Sequence, residues 1–283
     1  MIVGMPTLVP VADPADDRLT PFTHLTDAQL RRGIEDRAGL FLVEGVNAIQ
    51  RLLVSRYRVH SLLLTEAKAE RLHDALEGHD VTAYIVAQAV MNDVTGFDIH
   101  RGAIATAVRP APLDPAELLA TSRTIAIGED LNDHENLGVI ARSAVALGVD
   151  TLLLSPSSAD PLYRRSVRVS MGEMLFLPFA TLAPWPAALT DLVVAAGYRL
   201  LAMTPGGDTT LDDVSIGPDD RVAILLGAEG PGLTEGAMVA AHERVRITIR
   251  AGVDSLNVGH AAAIAFHRFG RAATATPVRG AAQ

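Results

Sequence analysis

The chain has 283 residues, 49% of them hydrophobic, enough for one large domain or two smaller ones. It has no cysteine, which excludes disulfides, thiolate zinc sites and cysteine nucleophiles. A net charge of -9 and a pI near 5.4 argue against a general nucleic-acid coat but leave a local basic surface open.

Residues 1–20 are rich in Pro and Asp without a period and read as a flexible lead-in. No basic flank precedes an apolar run there, and no apolar run reaches about 18 residues. A soluble, cytoplasmic protein is therefore expected. An α/β pattern starts with the short apolar strand Leu40-Phe41-Leu42-Val43. A helix is expected from about Val46 to Ser55, a strand over Val59 to Thr65 and a helix over Glu66 to Glu77. Strands over Val81 to Val86 and Ile104 to Val108 complete a unit at 21–109. Three prolines in the six residues from Pro110 to Pro115 then mark a stiff linker, 110–122.

The alternation resumes over 123–270. Strands are expected at Thr124–Gly128, Thr151–Leu154, Met174–Phe179, Tyr198–Met203, Val222–Leu226 and Val245–Ile249. Helices fall near Leu137–Leu147, Pro186–Ala196, Thr234–His242 and Leu256–Phe269. Strands alternating with helices imply a mainly parallel sheet covered on both faces. Residues 271–283 read as a disordered tail.

Three stretches lie where a strand hands over to a helix, the usual place for a ligand site in such a sheet. The first is Asn132-Asp133-His134-Glu135-Asn136-Leu137-Gly138-Val139-Ile140-Ala141-Arg142. Taken alone, Asn136 is a helix cap, Gly148 closes the helix, and Arg142 is a surface residue. The second, Leu226-Gly227-Ala228-Glu229-Gly230-Pro231-Gly232-Leu233, lacks the Gly-Lys-Ser/Thr of a phosphate loop and the Rossmann glycine spacing. It is a tight loop with bare backbone and one acid. In the third, Asp254-Ser255-Leu256-Asn257-Val258, Ser255 is placed to cap the last helix, with Asn257 in its first turn. No zinc-protease pair or nucleophile elbow is present, and no metal is expected.

Together, in this order, the stretches resemble the three signature motifs of the SpoU family of RNA 2′-O-methyltransferases, in the SPOUT superfamily. Ser155 to Tyr163 and Val167 to Gly172 resemble the segment after motif one. Phe41-Leu42-Val43-Glu44-Gly45 resembles the start of the family's substrate-binding domain. The resemblance implies a parallel-sheet methyltransferase domain with a C-terminal trefoil knot, an exception to normal connection rules. A smaller α/β domain, similar to a ribosomal-protein fold, precedes it.

The resemblance further implies S-adenosylmethionine as cofactor and a homodimer. Gly227, Ile247 and Leu256 match the positions whose backbone holds the cofactor, and Thr204 and Asn257 are assigned to the same site. Glu229 matches the motif-two acid, and Ser255 and Asn257 the motif-three polar pair. Asn136 matches the residue that supports the catalytic arginine, and Arg142 matches that arginine. RNA contacts are expected from Arg142, Arg164, Arg165, Arg168, Arg31 and Arg32. Ribosomal RNA is the first expectation for the substrate. Transfer RNA, or an RNA-binding protein of the same fold without turnover, is the alternative. The chain departs from the family at Ile247-Thr248-Ile249 (Ile-Pro-Met is usual), at Val258-Gly259-His260 (Val-Ser-Val is usual) and at Asp133-His134-Glu135.

Overall fold

The computed structural model describes residues 4–25, 33–35, 37–96 and 102–271. Arg31 and Arg32, and the tail beyond Arg271, lie outside them. The chain forms two compact units. One comprises residues up to Ala111 together with Leu162–Phe176, and the other comprises Pro112–Pro161 and the chain from Leu177 on.

The first unit holds a five-stranded sheet in the order β1-β4-β3-β5-β2. Its strands are β1 (Thr7–Pro10), β2 (Leu40–Glu44), β3 (Val59–Thr65), β4 (Thr82–Val86) and β5 (Ala103–Val108). β1, β4 and β3 run parallel, and β5 is antiparallel to both β3 and β2. The expected lead-in is corrected here. Thr7–Pro10 pairs with β4 at the sheet edge, where a strand tolerates Pro10, and a 3-10 helix follows at Asp17–Phe22. Leu19 and Phe22 of that helix pack on Leu42, Leu63 and Ile104 in one core. Helices α1 (Val46–Leu53), α2 (Glu66–Leu76) and α3 (Gln88–Thr95) connect the strands. α1 buries Val46, Ile49, Leu52 and Leu53, a helical stripe.

The second unit follows the linker, whose latter part is the helix α4 (Pro115–Thr121). Asp114 accepts from the Ala116 N–H at its start, and Leu119 is buried. Then come β6 (Thr124–Gly128), α5 (His134–Leu147) and β7 (Thr151–Leu154), before the excursion into the first unit that carries α6 (Arg164–Val169). β8 (Phe179–Thr181), a π-helix at Leu189–Val194, β9 (Tyr198–Met203), β10 (Thr209–Thr210), β11 (Arg221–Leu226), α7 (Glu235–Ala240), β12 (Glu243–Arg246) and α8 (Val258–Phe269) complete it. The sheet order is β10-β12-β9-β11-β6-β7-β8, and every pairing is parallel. Ile125, Ile127, Leu200, Ala223 and Leu225 are fully buried in it, as continuous apolar runs in a doubly covered sheet should be. Behind them the Tyr198 hydroxyl donates to the carbonyls of Ser122, at 2.7 Å, and Leu119, at 3.1 Å. Burial pushes this phenol up to about 12, and the neighbouring Arg221 only partly opposes that.

Several local expectations are corrected. The run Met174–Phe179 does not form one strand. Glu173–Leu175 is a 3-10 turn, Pro178 has no N–H for a ladder, and pairing starts at Phe179. β12 ends at Arg246, which releases Ile247 and Ile249 from the sheet. The cap of α5 is Asp133, accepting from the Glu135 N–H at 2.7 Å, so Asn136 lies inside the helix. Gly148 does end α5, in the left-handed conformation. Among the described residues no helix is long and apolar enough to cross a membrane.

Candidate active site

In a parallel sheet the loops after the strands emerge at one edge. Those after β9, β11 and β12, together with the start of α8, enclose a cavity of about 370 Å³. Its size falls in the range of small-molecule sites, roughly 300–1,000 Å³. Apolar walls come from Met203, Leu226, Val245, Ile247, Ile249 and Leu256. Polar groups come from Thr204, Glu229, Ser255 and Asn257 and from the backbone of the β11 loop.

Backbone constraints shape that loop. At Gly227 an added Cβ would meet the Gly232 carbonyl carbon at 2.4 Å and the Leu233 nitrogen at 2.6 Å, so only glycine lets the loop fold back on itself. The Gly232 N–H donates to the Ala228 carbonyl at 3.0 Å and closes the turn. The Thr204 N–H donates to the Val245 carbonyl at 2.9 Å, fixing the neighbouring wall.

Asn257 joins all three motifs. Its Oδ1 accepts from the backbone N–H of Gly259, at 2.9 Å, and of His260, at 3.3 Å, and so caps α8. Its Nδ2 donates to Asn136 Oδ1 at 2.8 Å and to Glu229 Oε1 at 2.5 Å. The amide is therefore fully used. Ser255, expected as the cap, instead lies exposed on the cavity wall. Gly259, a departure from the family pattern, has a packing reason: a Cβ there would meet Val139 Cγ1 of α5 at 2.8 Å.

Glu129 was not singled out in the sequence. It is 1% exposed. Its carboxylate accepts from Trp185 Nε1 at 2.6 Å, from the Thr234 N–H at 2.8 Å and from Thr234 Oγ at 2.7 Å. Its own N–H donates to the Leu226 carbonyl at 2.8 Å. Glu129 thus ties the end of β6 to both ends of the loop after β11. These partners lie 56 and 105 residues along the chain, beyond the reach of local motif reading.

The expected site residues divide into two groups. Gly227, Glu229, Ile247, Ser255, Leu256, Asn257 and Thr204 line the cavity, and Asn136 is bonded to it through Asn257. Arg142 does not line it. This side chain is exposed on α5 and makes no hydrogen bond or ion pair among the described residues, while Asn136 Oδ1 is taken by Asn257. Arg164 and Arg168 belong to the first unit, where both bond the buried Glu44. Arg165 is exposed.

A doubly covered parallel sheet with one apolar-walled cavity at its strand ends defines an α/β domain built to hold a small organic ligand. Residues 123–267 match the SpoU rRNA Methylase family, and residues 42–113 match the RNA 2′-O ribose methyltransferase substrate-binding domain. The chain belongs to the SpoU methylase family. It is 43% identical over 259 residues to an uncharacterized tRNA/rRNA methyltransferase of Mycobacterium tuberculosis, covering 91% of this chain and 90% of the relative. The SpoU methyltransferase AviRb of Streptomyces viridochromogenes, solved in complex with S-adenosylmethionine, superposes with a TM-score of 0.74 at 25% identity, over 89% of this chain and 97% of AviRb. A solved RNA 2′-O ribose methyltransferase gives a TM-score of 0.74 at 25% identity, over 92% of this chain and 97% of the other. Methyltransferases of this family use S-adenosylmethionine.

Proposed function

We propose that the chain transfers a methyl group from S-adenosylmethionine to a ribose 2′-hydroxyl of RNA. The observation that carries this reading is the convergence of Gly227, Thr204, Ile247, Ser255, Leu256, Asn257 and Glu229 on one cavity. The donor set suits the cofactor. Apolar walls offer a surface for an adenine ring, and the bare loop backbone and polar side chains offer partners for its sugar and amino-acid ends. Bound there, S-adenosylmethionine supplies a methyl group already activated on a sulfonium.

The chain's residues then have to align the hydroxyl and let its proton leave. Alignment supplies several kcal/mol. A guanidinium is rarely a base, so proton removal is not assigned to Arg142. In this reading it binds the phosphate next to the target ribose and polarises the hydroxyl, while a phosphate oxygen or water takes the proton. Because Arg142 lines no part of the cavity within one chain, a homodimer that brings it to a neighbour's cofactor belongs to the reading, as does the trefoil knot.

The ribose 2′-hydroxyl makes the substrate RNA. Ribosomal RNA is the proposed class, and transfer RNA is the second reading, favoured by the tRNA/rRNA naming of the relatives. Mass spectrometry of RNA from a strain lacking the gene tests both. A missing 2′-O-methyl nucleotide is the expected result, and unchanged RNA refutes the reading. Arg142→Lys is expected to lose most turnover with cofactor binding intact. Near-normal turnover removes the planar-fork role from Arg142.

A further inference from the structure

A second cavity, of about 310 Å³, lies wholly within the first unit. Its lining includes Lys68 and Arg71 from α2, Arg168 from α6 and Asn47 near the start of α1. Lys68 and Arg71 are three residues apart on one face of the helix. Neither makes a hydrogen bond or ion pair among the described residues.

Arg168 is held from behind. Its Nη1 donates to Glu44 Oε1 at 3.2 Å, and Arg164 Nη1 donates to Glu44 Oε2 at 2.8 Å. Glu44 is the one acid in the lining, and two guanidiniums already share its carboxylate. Among the described residues no carboxylate pairs with the half-buried Lys68 or the exposed Arg71, in a chain whose net charge is -9. Gly45 begins α1 at φ 95 without a side-chain cap, and Gly45 to Ala48 line the same cavity. The Gly45 N–H is taken by the Ala103 carbonyl at 2.9 Å, so the helix start adds only the first-turn N–H groups that lack intrahelical partners, and these do not make the site by themselves.

A polar cavity with two cations unpaired among the described residues and an oriented guanidinium is matched to a phosphate, whose oxygens accept from all three. We propose that this cavity binds a backbone phosphate of the RNA substrate. Lys68 and Arg71 neutralise the phosphate, and Arg168, aimed by Glu44, presents its remaining N–H groups. The site rests on the proposed methyl transfer only for the source of the phosphate.

The test uses the full chain and a fluorescently labelled single-stranded oligouridylate, with binding followed by anisotropy at several salt concentrations. Lys68→Gln with Arg71→Gln is expected to weaken binding about tenfold or more at low salt. The slope of log affinity against log salt should fall by about 0.7 for each phosphate that is no longer neutralised. Binding of S-adenosylmethionine and the melting temperature stay unchanged. Unchanged oligouridylate affinity and slope overturn the site. So does inorganic phosphate binding that depends on Lys68 and Arg71 while oligouridylate binding does not, since the cavity then serves a free anion. If the wild type fails to bind S-adenosylmethionine but the oligouridylate result holds, the methyltransferase reading falls and the phosphate site stands. The reverse pattern removes the site and leaves the reading.

Discussion

Replacing Asn257 by Asp separates two jobs that one amide performs. The substituted side chain keeps an oxygen for the Gly259 and His260 N–H groups, so α8 stays capped. A carboxylate at a helix start adds about 0.3–1 kcal/mol of stability. The other end of the side chain turns from donor to acceptor, facing Asn136 Oδ1 at 2.8 Å and Glu229 Oε1 at 2.5 Å. Two hydrogen bonds are lost, about 1 kcal/mol each. Two like charges at about 4 Å repel by roughly 1 kcal/mol in water and about 4 at an effective dielectric of 20. Glu229 is exposed, so the lower part of that range applies. The cavity's arrangement should lose about 2–3 kcal/mol, or roughly 30- to 150-fold in affinity for S-adenosylmethionine by calorimetry. Asn257→Ala gives the opposite balance. Losing the cap costs about 1 kcal/mol of stability, while without charge repulsion cofactor affinity falls less than in the Asp variant. The expected order is wild type, Ala, Asp for binding, with Ala the least stable in thermal melts. If Asn257→Asp binds the cofactor like the wild type, the bridge between the three motifs does not shape the cavity.

Glu129→Gln sets an amide where the buried Thr234 N–H and the Trp185 indole need acceptors, and should cost about 1–3 kcal/mol. Trp185 is the only tryptophan, so its fluorescence reports the change directly, and unaltered emission and melting count against the network. Glu44→Ala removes the carboxylate from the largely buried Arg164, which keeps its bond to the Leu25 carbonyl, and from the partly buried Arg168, with an expected loss of about 3–5 kcal/mol in denaturant unfolding. A loss under about 1 kcal/mol would show that this pairing does not hold α6 in place. For Tyr198, whose folded value is raised to about 12, the native state holds the phenolic proton longer than the unfolded chain. Its contribution is full below about pH 10 and drains away as pH rises towards 12. Tyr198→Phe should flatten the fall in melting temperature across that alkaline window, and an identical fall in the variant rejects the assignment.

Strands buried on both faces were the most legible part of the fold. Val59–Thr65, Thr124–Gly128, Thr151–Leu154 and Tyr198–Met203 each hold a buried apolar stretch, read as strands and form strands over the same bounds. Where another force outweighs the run, legibility failed. Thr7–Pro10 is a strand because β4 offers it an open edge, although its own composition suggests a loose segment. Met174 and Leu175 are apolar because they are buried in a 3-10 turn rather than because they pair. At the cavity, the motifs named the lining residues well. They did not show which amide caps α8, since Ser255 and Asn257 are both good caps and only the tertiary partners of Asn257 decide. Glu129 stayed hidden because an acid next to Asp130 looks like solvated surface until its three donors are seen.

The excursion of Leu162–Phe176 into the first unit has a consequence for how the chain is made. A ribosome delivers the N-terminal half first, yet the guanidiniums that answer Glu44 emerge only with Arg164 and Arg168. At 5 to 20 residues per second, the 65 residues from Ala111 to Phe176 take roughly 3 to 13 s to add. During that interval the nascent unit carries a carboxylate facing the place where α6 will dock. Closure of the early-born half is therefore timed by the late-born one. A gene cut after residue 111 would yield a polypeptide that never receives the guanidiniums that answer Glu44.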